Sequence, residues 1–168
     1  GVFDGCEGLQ SLDVSNFDTR NVTNMSEMFS SCINLVGLDV TGFNTSNVTD
    51  MRYMFADCYA LTSLDLSSFN TSKVTDMIGM FENCRSLTSL DLSSFDVSNV
   101  EYMNGMFENC RSLTSIDLSS WDVNDKNPND AYDIFNGCTS LRTLYIKDGT
   151  YDWWLGILMD GDMDNQVS

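Results

Sequence analysis

The chain has 168 residues and 18.8 kDa, of which 42% are apolar and 20% charged, so it carries enough apolar side chain to fold as about one domain. Eight Lys and Arg stand against 25 Asp and Glu, a formal net charge of −17 with a pI near 4.1. That balance excludes a nucleic-acid or anionic-membrane partner, since both call for a cationic face. No histidine is present, which removes the commonest general base and metal ligand, and with them most hydrolase triads and zinc sites. No stretch reaches the roughly 18 apolar residues that suggest a membrane-spanning helix, so direct insertion into a bilayer is not expected. There is no initiator Met or signal peptide, and Gly1 falls inside a repeat; the sequence reads as a piece of a longer protein whose earlier repeats, unknown in number, are missing.

An internal period sets the architecture. Cys6, Cys32, Cys58, Cys84 and Cys110 stand 26 residues apart, and Cys138 follows after 28. In the first half of a unit, Val48, Met51, Phe55 and Cys58 fall at i, i+3, i+7 and i+10, which predicts a helix of about three turns. In the second half, Leu64 and Leu66 alternate with Ser63, Asp65 and Ser67, which predicts a short strand with one buried face. The connector Ser68-Phe69-Asn70-Thr71-Ser72-Lys73 is rich in turn and capping residues, and Asn47 and Asp50 sit at capping-box spacing. One such unit cannot bury its own apolar face, whereas stacked units make a continuous core with parallel strands about 4.8 Å apart. The prediction is an α/β solenoid: a leucine-rich-repeat-like, right-handed stack of about six strand-helix units over residues 1–147, roughly 29 Å long, with the sheet on the concave face.

The phrase Asn-Val-Thr-Asp-Met-x-x-Met-Phe-x-x-Cys-x-x-Leu-Thr-Ser-Leu-Asp-Leu-Ser-Ser-Phe, recurring over about residues 3–147, resembles the 26-residue repeat of BspA-like leucine-rich repeat proteins. The resemblance implies a bacterial exported or wall-attached protein, extracellular at the cell surface. It further implies a non-enzymatic role in adhesion or in binding a protein or glycan, host-derived ones included. It implies no cofactor, and the family supplies no catalytic residue to carry over.

The C-terminal end departs from the pattern. Between Asp122 and Ala131 the repeat gains two residues and Pro128, which suits the first turn of a helix. Beyond Ile146, residues 148–168 read as a cap and acidic tail: Tyr151, Trp153, Trp154, Leu155, Ile157 and Leu158 would cover the last layer, or else Trp153 and Trp154 form a patch that binds a partner.

The candidate chemistry is sparse. The six cysteines, each at the same inward place, read as a ladder of small buried hydrophobes; zinc spacing is absent and no base activates a nucleophile. The methionine pairs Met25/Met28, Met51/Met54, Met77/Met80 and Met103/Met106 read as core. Asp13, Asp39, Asp65, Asp91 and Asp117 lie between inward strand residues, so they face outward in a column about 5 Å apart. Two readings stay open for them: a solvated surface offset by flanking serines, or a site for a cationic or Ca²⁺-bridged ligand. Adjacent like charges predict raised pKa values for some. Their identical repetition argues against a glycosidase pair, which needs two unlike environments. Asp160-Gly161-Asp162-Met163-Asp164 has the opening alternation of a calcium loop without its later ligands. The sequons at Asn21, Asn44, Asn47 and Asn70 are read as capping chemistry. Two functions remain, a binding module with an acidic sheet face and a structural spacer that displays another domain.

Overall fold

The structure is a computed structural model, and it describes residues 1–160. The chain winds into a stack of 26-residue circuits, each with a strand-side edge and an opposite, turn-side edge. On the strand side, β1 (Ser11–Leu12) pairs with β2 (Gly37–Leu38), and β3 (Ser89–Asp91), β4 (Ser115–Leu118) and β5 (Thr143–Ile146) form a second parallel sheet. The register follows the repeat: Leu90 lies beside Ile116, Ile116 beside Leu144, and Asp91 beside Asp117. Parallel pairing of chain-consecutive strands is what tandem units impose, because each circuit returns the chain to the same edge one layer on. The segment 61–66 continues the stack without regular strand pairing, so the two sheets are separate.

The helix predicted for the first half of each unit does not form. In its place residues 50–58 make a chain of overlapping turns: Met54 N donates to Met51 O, Ala56 N to Tyr53 O and Cys58 N to Phe55 O, at 3.2, 3.1 and 3.3 Å. The alternate amides point along the stack. Met51 N, Tyr53 N, Phe55 N and Asp57 N donate to Asp76 O, Ile78 O, Met80 O and Glu82 O of the next circuit, at 3.0, 2.8, 2.9 and 2.8 Å. The physical reason is a left-handed backbone twice per circuit. Tyr53 and Asp57 have φ of 55° and 58°, as do their counterparts Gly79, Asn83, Gly105, Asn109, Asp133 and Gly137 within a few degrees to about 15°. A residue at positive φ every four positions cannot sit in a right-handed helix; at the third place of a turn it is what a type II geometry requires. The same four donors recur between the later circuits, from Met25, Glu27, Phe29 and Ser31 through Met103, Gly105, Phe107 and Asn109, and Phe3 N and Gly5 N make two of them in the first, so the turn side carries an unbroken backbone ladder where the strand side is divided.

Inside the stack the repeat stacks identical side chains. Phe3, Phe29, Phe55, Phe81, Phe107 and Phe135 form one column with ring centroids 5.5–5.7 Å apart and interplanar angles of 4–10°. Ring spacings of 4.5–7 Å are those of favourable aromatic pairs. The methionine pairs and the leucines of the strands fill the space around the column, and Met51, Met54, Met77, Met80 and Met106 are fully buried. From Cys32 onward each cysteine thiol donates to the Phe carbonyl of the preceding circuit, as in Cys84 Sγ to Phe55 O at 3.1 Å and Cys138 Sγ to Phe107 O at 3.0 Å. All six are free thiols, five of them buried. Burial pushes the thiols of Cys58 and Cys138 up to about 12, and Cys84 and Cys110 upward also. These are inert core groups, as the inward ladder predicts.

Connector residues expected to cap helices serve the stack instead. Thr45 Oγ1 donates to Asn70 O (3.0 Å) and accepts from Asn70 N (2.8 Å), and Thr19 and Thr71 do the same with Asn44 and Asp96. Asn44 and Asn70 close Asx turns onto Ser46 and Ser72. Asn47 and Asp50 form no capping box: Asn47 Nδ2 donates back to Arg20 O, and Asp50 binds Arg52.

The C-terminal end is closed. Pro128 opens a short 3-10 turn, Pro128–Ala131, capped by Asn127 Oδ1 accepting from Asn129 N, the position at which its missing amide costs nothing. Helix α1 (Tyr151–Asp160) lays Trp154 over Phe135 and Trp121, at 6.0 and 6.4 Å. Trp153 Nε1 donates to Lys126 O at 2.9 Å, and Lys126 Nζ donates in turn to Ser98 O and Val100 O. The two-residue insertion thus makes a loop that clasps the cap.

Candidate functional site

The strand-side surface is built from three outward positions of each circuit. Asp13, Asp39, Asp65 and Asp91 are exposed and Asp117 partly so, while their neighbours Leu38, Leu66, Leu90, Ile116 and Leu118 are buried in the core. Each carboxylate closes a local turn. Asp13 Oδ1 accepts from Ser15 N, Asp39 from Thr41 N and Oγ1, Asp65 from Ser67 N, Asp91 from Ser93 N and Asp117 from Ser119 N, all between 2.6 and 3.0 Å.

These bonds overturn the expectation of raised pKa values. The Ser15 hydroxyl and amide hold Asp13 below the ordinary carboxylate value, those of Thr41 hold Asp39, the Ser67 amide and hydroxyl hold Asp65, and the Ser93 hydroxyl and amide hold Asp91. For Asp39 the charges of Asp65 and Asp13 push the other way and lose. Donors in direct contact outweigh like charges seen through water, where the effective dielectric is high. Asp13, Asp39, Asp65 and Asp91 are therefore ionised at neutral pH, and all five carboxylates are fixed in direction by their own turns.

At its C-terminal end the column changes character. Tyr145 takes the place of the aspartate, beside Asp117, and is 55% exposed. The sequence signal was there, since Tyr145 stands 28 residues after Asp117, the interval between Cys110 and Cys138. Lys147 beyond it binds Asp122 at 2.7 Å. The other two candidates do not join this surface: Trp153 and Trp154 are 9% and 1% exposed and lie in the cap.

The turn side has acidic groups of a different kind. Arg52 bridges Asp50 and Asp76 at 2.9 and 3.7 Å. Glu82 and Glu108 are partly buried and have raised pKa values, Glu82 first through burial and then through the charges of Glu108 and Asp57. Among the described residues no three carboxylates or thiols stand close enough to hold a metal ion, and no helix is long and apolar enough to cross a membrane. The Asp160–Asp164 run lies outside the described residues but for its first member.

Comparisons with solved structures bear on the fold. The chain is similar to a leucine-rich repeat protein of T. pallidum, with a TM-score of 0.56 and 23% identity over 85% of this chain and 59% of that one. Two others are a leucine-rich repeat protein of Bacteroides ovatus (TM-score 0.49, 18% identity, 86% of this chain and 39% of that) and a leucine rich cell surface protein of Faecalibacterium prausnitzii (0.33, 16%, 93% and 64%). The chain thus spans well under two thirds of the length of the first two. No curated protein matches. The family model described as "Mycoplasma protein of unknown function, DUF285" matches residues 1–90 and 36–148. The chain belongs to the DUF285 family, and its fold is that of a leucine-rich-repeat solenoid.

Proposed function

We propose that the protein is a non-enzymatic binding module of the bacterial cell surface, with the strand-side face as its contact surface and a protein or glycan carrying cationic groups as its partner. The observation that carries this reading is the aspartate column. Asp13, Asp39, Asp65 and Asp91 are exposed, held ionised and aimed outward by turns of their own, in a row along the stack. A row of oriented charges one layer apart raises the local concentration of a cationic partner and makes its association depend on salt. The surface setting and the adhesive role follow the resemblance to BspA-like proteins, and a Ca²⁺ bridge between carboxylates and an anionic partner is a variant of the same reading.

A second reading is a spacer that displays another domain. Circuits carrying Asp39, Asp65 and Asp91 are nearly identical in sequence, and a specific site commonly breaks such regularity. One experiment separates the two: screening the protein against protein and glycan arrays at low and moderate salt, alongside the Asp39→Asn/Asp65→Asn/Asp91→Asn variant. The binding reading expects partners that are lost in the variant and weakened by salt. Partners retained by the variant, or none at either salt, would favour the spacer.

A further inference from the structure

The turn side breaks the repeat at one register. Glu27, Tyr53, Gly79, Gly105 and Asp133 take the same place in successive circuits, all with φ between 55° and 60°. Glu27, Tyr53 and Asp133 adopt that backbone with side chains, so Gly79 and Gly105 are not there for the backbone alone. The Tyr53 ring lies over Gly79, where a Cβ would be, whereas at Gly105 only the Glu108 side chain approaches the same place. One circuit further on stands Tyr132, whose carbonyl accepts from Gly105 N at 3.0 Å and whose side chain is exposed.

Two carboxylates reach this place without a counter-charge. Glu82 Oε2 and Glu108 Oε2 lie 3.0 and 3.2 Å from the positions that a Cβ would take on Gly79 and Gly105. Their other oxygens accept only long bonds, from Asn83 Nδ2 and Asn136 Nδ2 at 3.3 Å each. Among the described residues no Lys or Arg pairs with either, and the guanidinium of Arg52 is taken by Asp50 and Asp76. Both carboxylates are partly buried, and a charge withdrawn from water without a partner is costly. The Tyr53 phenol is raised above its ordinary value first by burial and then by Glu82 and Tyr132, so these groups share one surface.

We propose that this stretch of the turn side is a second binding site, for a ligand that carries an alkylammonium group, with the Tyr53 and Tyr132 rings against the cation and Glu82 and Glu108 balancing its charge. Aromatic faces attract organic cations, and the attraction strengthens where water is partly excluded. The pair of uncompensated carboxylates supplies the complementary charge that a neutral ligand would leave unused. A hard divalent ion fits less well, because it takes six or more oxygen ligands and no three carboxylates stand close enough among the described residues. The net charge of −17 favours cations at every face; what sets this one apart is the two rings on either side of a layer that has no side chain of its own. The site lies on the edge opposite the aspartate column and stands whether or not that column binds a partner.

The test titrates choline and Nα-acetyl-lysine methylamide separately into the whole chain and follows the amide resonances of Gly79 and Gly105. Sodium chloride and the neutral alcohol in which carbon replaces the choline nitrogen serve as controls. The proposal predicts a saturable shift with at least one of the two ammonium probes and none with either control. Tyr132→Ala and Glu108→Gln, at an exposed and a partly buried side chain, should each weaken binding about threefold or more, while Tyr132→Phe retains it. Asp39→Asn/Asp65→Asn/Asp91→Asn should leave it unchanged. No saturable shift with either probe, an equal shift with the neutral alcohol, or an affinity unaltered by Tyr132→Ala or by Glu108→Gln overturns the proposal. So does a shift that disappears in the triple aspartate variant, since the strand side would then hold the probe.

Discussion

The strand side and the turn side of the stack repeat the same 26 residues yet are held in different ways. On the turn side every second amide crosses to the next circuit, and the Phe, Met and Cys columns lie directly beneath. On the strand side the pairing is divided into a two-stranded and a three-stranded sheet, and the outward positions carry aspartates closed on their own turns. The contrast assigns the two jobs of a repeat protein to different edges. Cohesion between layers resides where the backbone ladder is continuous, and the strand-side surface carries the exposed aspartate column.

The contrast is broken most severely from the core of the turn side. Phe81 is fully buried between Phe55 and Phe107, each 5.7 Å away. Phe81→Ala is expected to cost about 3–5 kcal/mol in denaturant unfolding, and a cost under about 1 kcal/mol would remove the aromatic column from the account.

A smaller loss, about 1–3 kcal/mol, is expected for Gly79→Ala. Gly79 has φ of 56°, and the Tyr53 ring lies where a Cβ would be. The Tyr53→Ala/Gly79→Ala double variant should recover part of that loss, and strict additivity of the two costs would show that the ring is not the obstacle.

The thiols give an alkaline test. Their folded pKa values are raised, so the folded state holds protons that the unfolded chain releases; the stability they contribute is present below the ordinary thiol pKa and falls as pH rises toward about 12. Stability measured by denaturant between pH 8 and pH 11 should decline more steeply than in a Cys58→Ala/Cys138→Ala variant.

The smallest effect belongs to the aspartate column. With folded pKa values lowered, these carboxylates contribute stability present above the ordinary aspartate pKa and lost as pH falls through the lowered values. At neutral pH the Asp39→Asn/Asp65→Asn variant should melt within a few degrees of the parent, because both groups are exposed. The same melts with Ca²⁺ and with chelator at matched ionic strength test the calcium reading: a shift specific to Ca²⁺ supports it, and equal effects of both salts dismiss it.

Much of this was legible from the residues. The cysteine spacing yields the stack, the alternation of Leu64, Asp65 and Leu66 sends the aspartates outward, and the apolar run around Trp154 announces the cap. The helix was misread because apolar residues at i, i+3, i+7 and i+10 fit overlapping turns as well as a helical face. What distinguishes them is also in the sequence: Gly5, Asp57, Asn83, Asn109 and Gly137 occupy one register and Gly79, Gly105 and Asp133 another. Those residue types tolerate a left-handed backbone, and at fixed registers they argue for turns. The pKa directions were out of reach, because spacing reveals neighbouring charges but not the Ser and Thr donors that a turn folds onto each carboxylate.

Amide exchange on the folded protein tests the central claim most directly. If the turn-side ladder holds the layers together, the amides of Met51, Tyr53, Phe55 and Asp57 and their counterparts in the next two circuits should be the slowest in the molecule, exchanging only on global unfolding, with those of residues 62–66 among the faster. Slow exchange confined to β3–β5, with the turn-side amides open, would place the cohesion in the sheet and contradict the account.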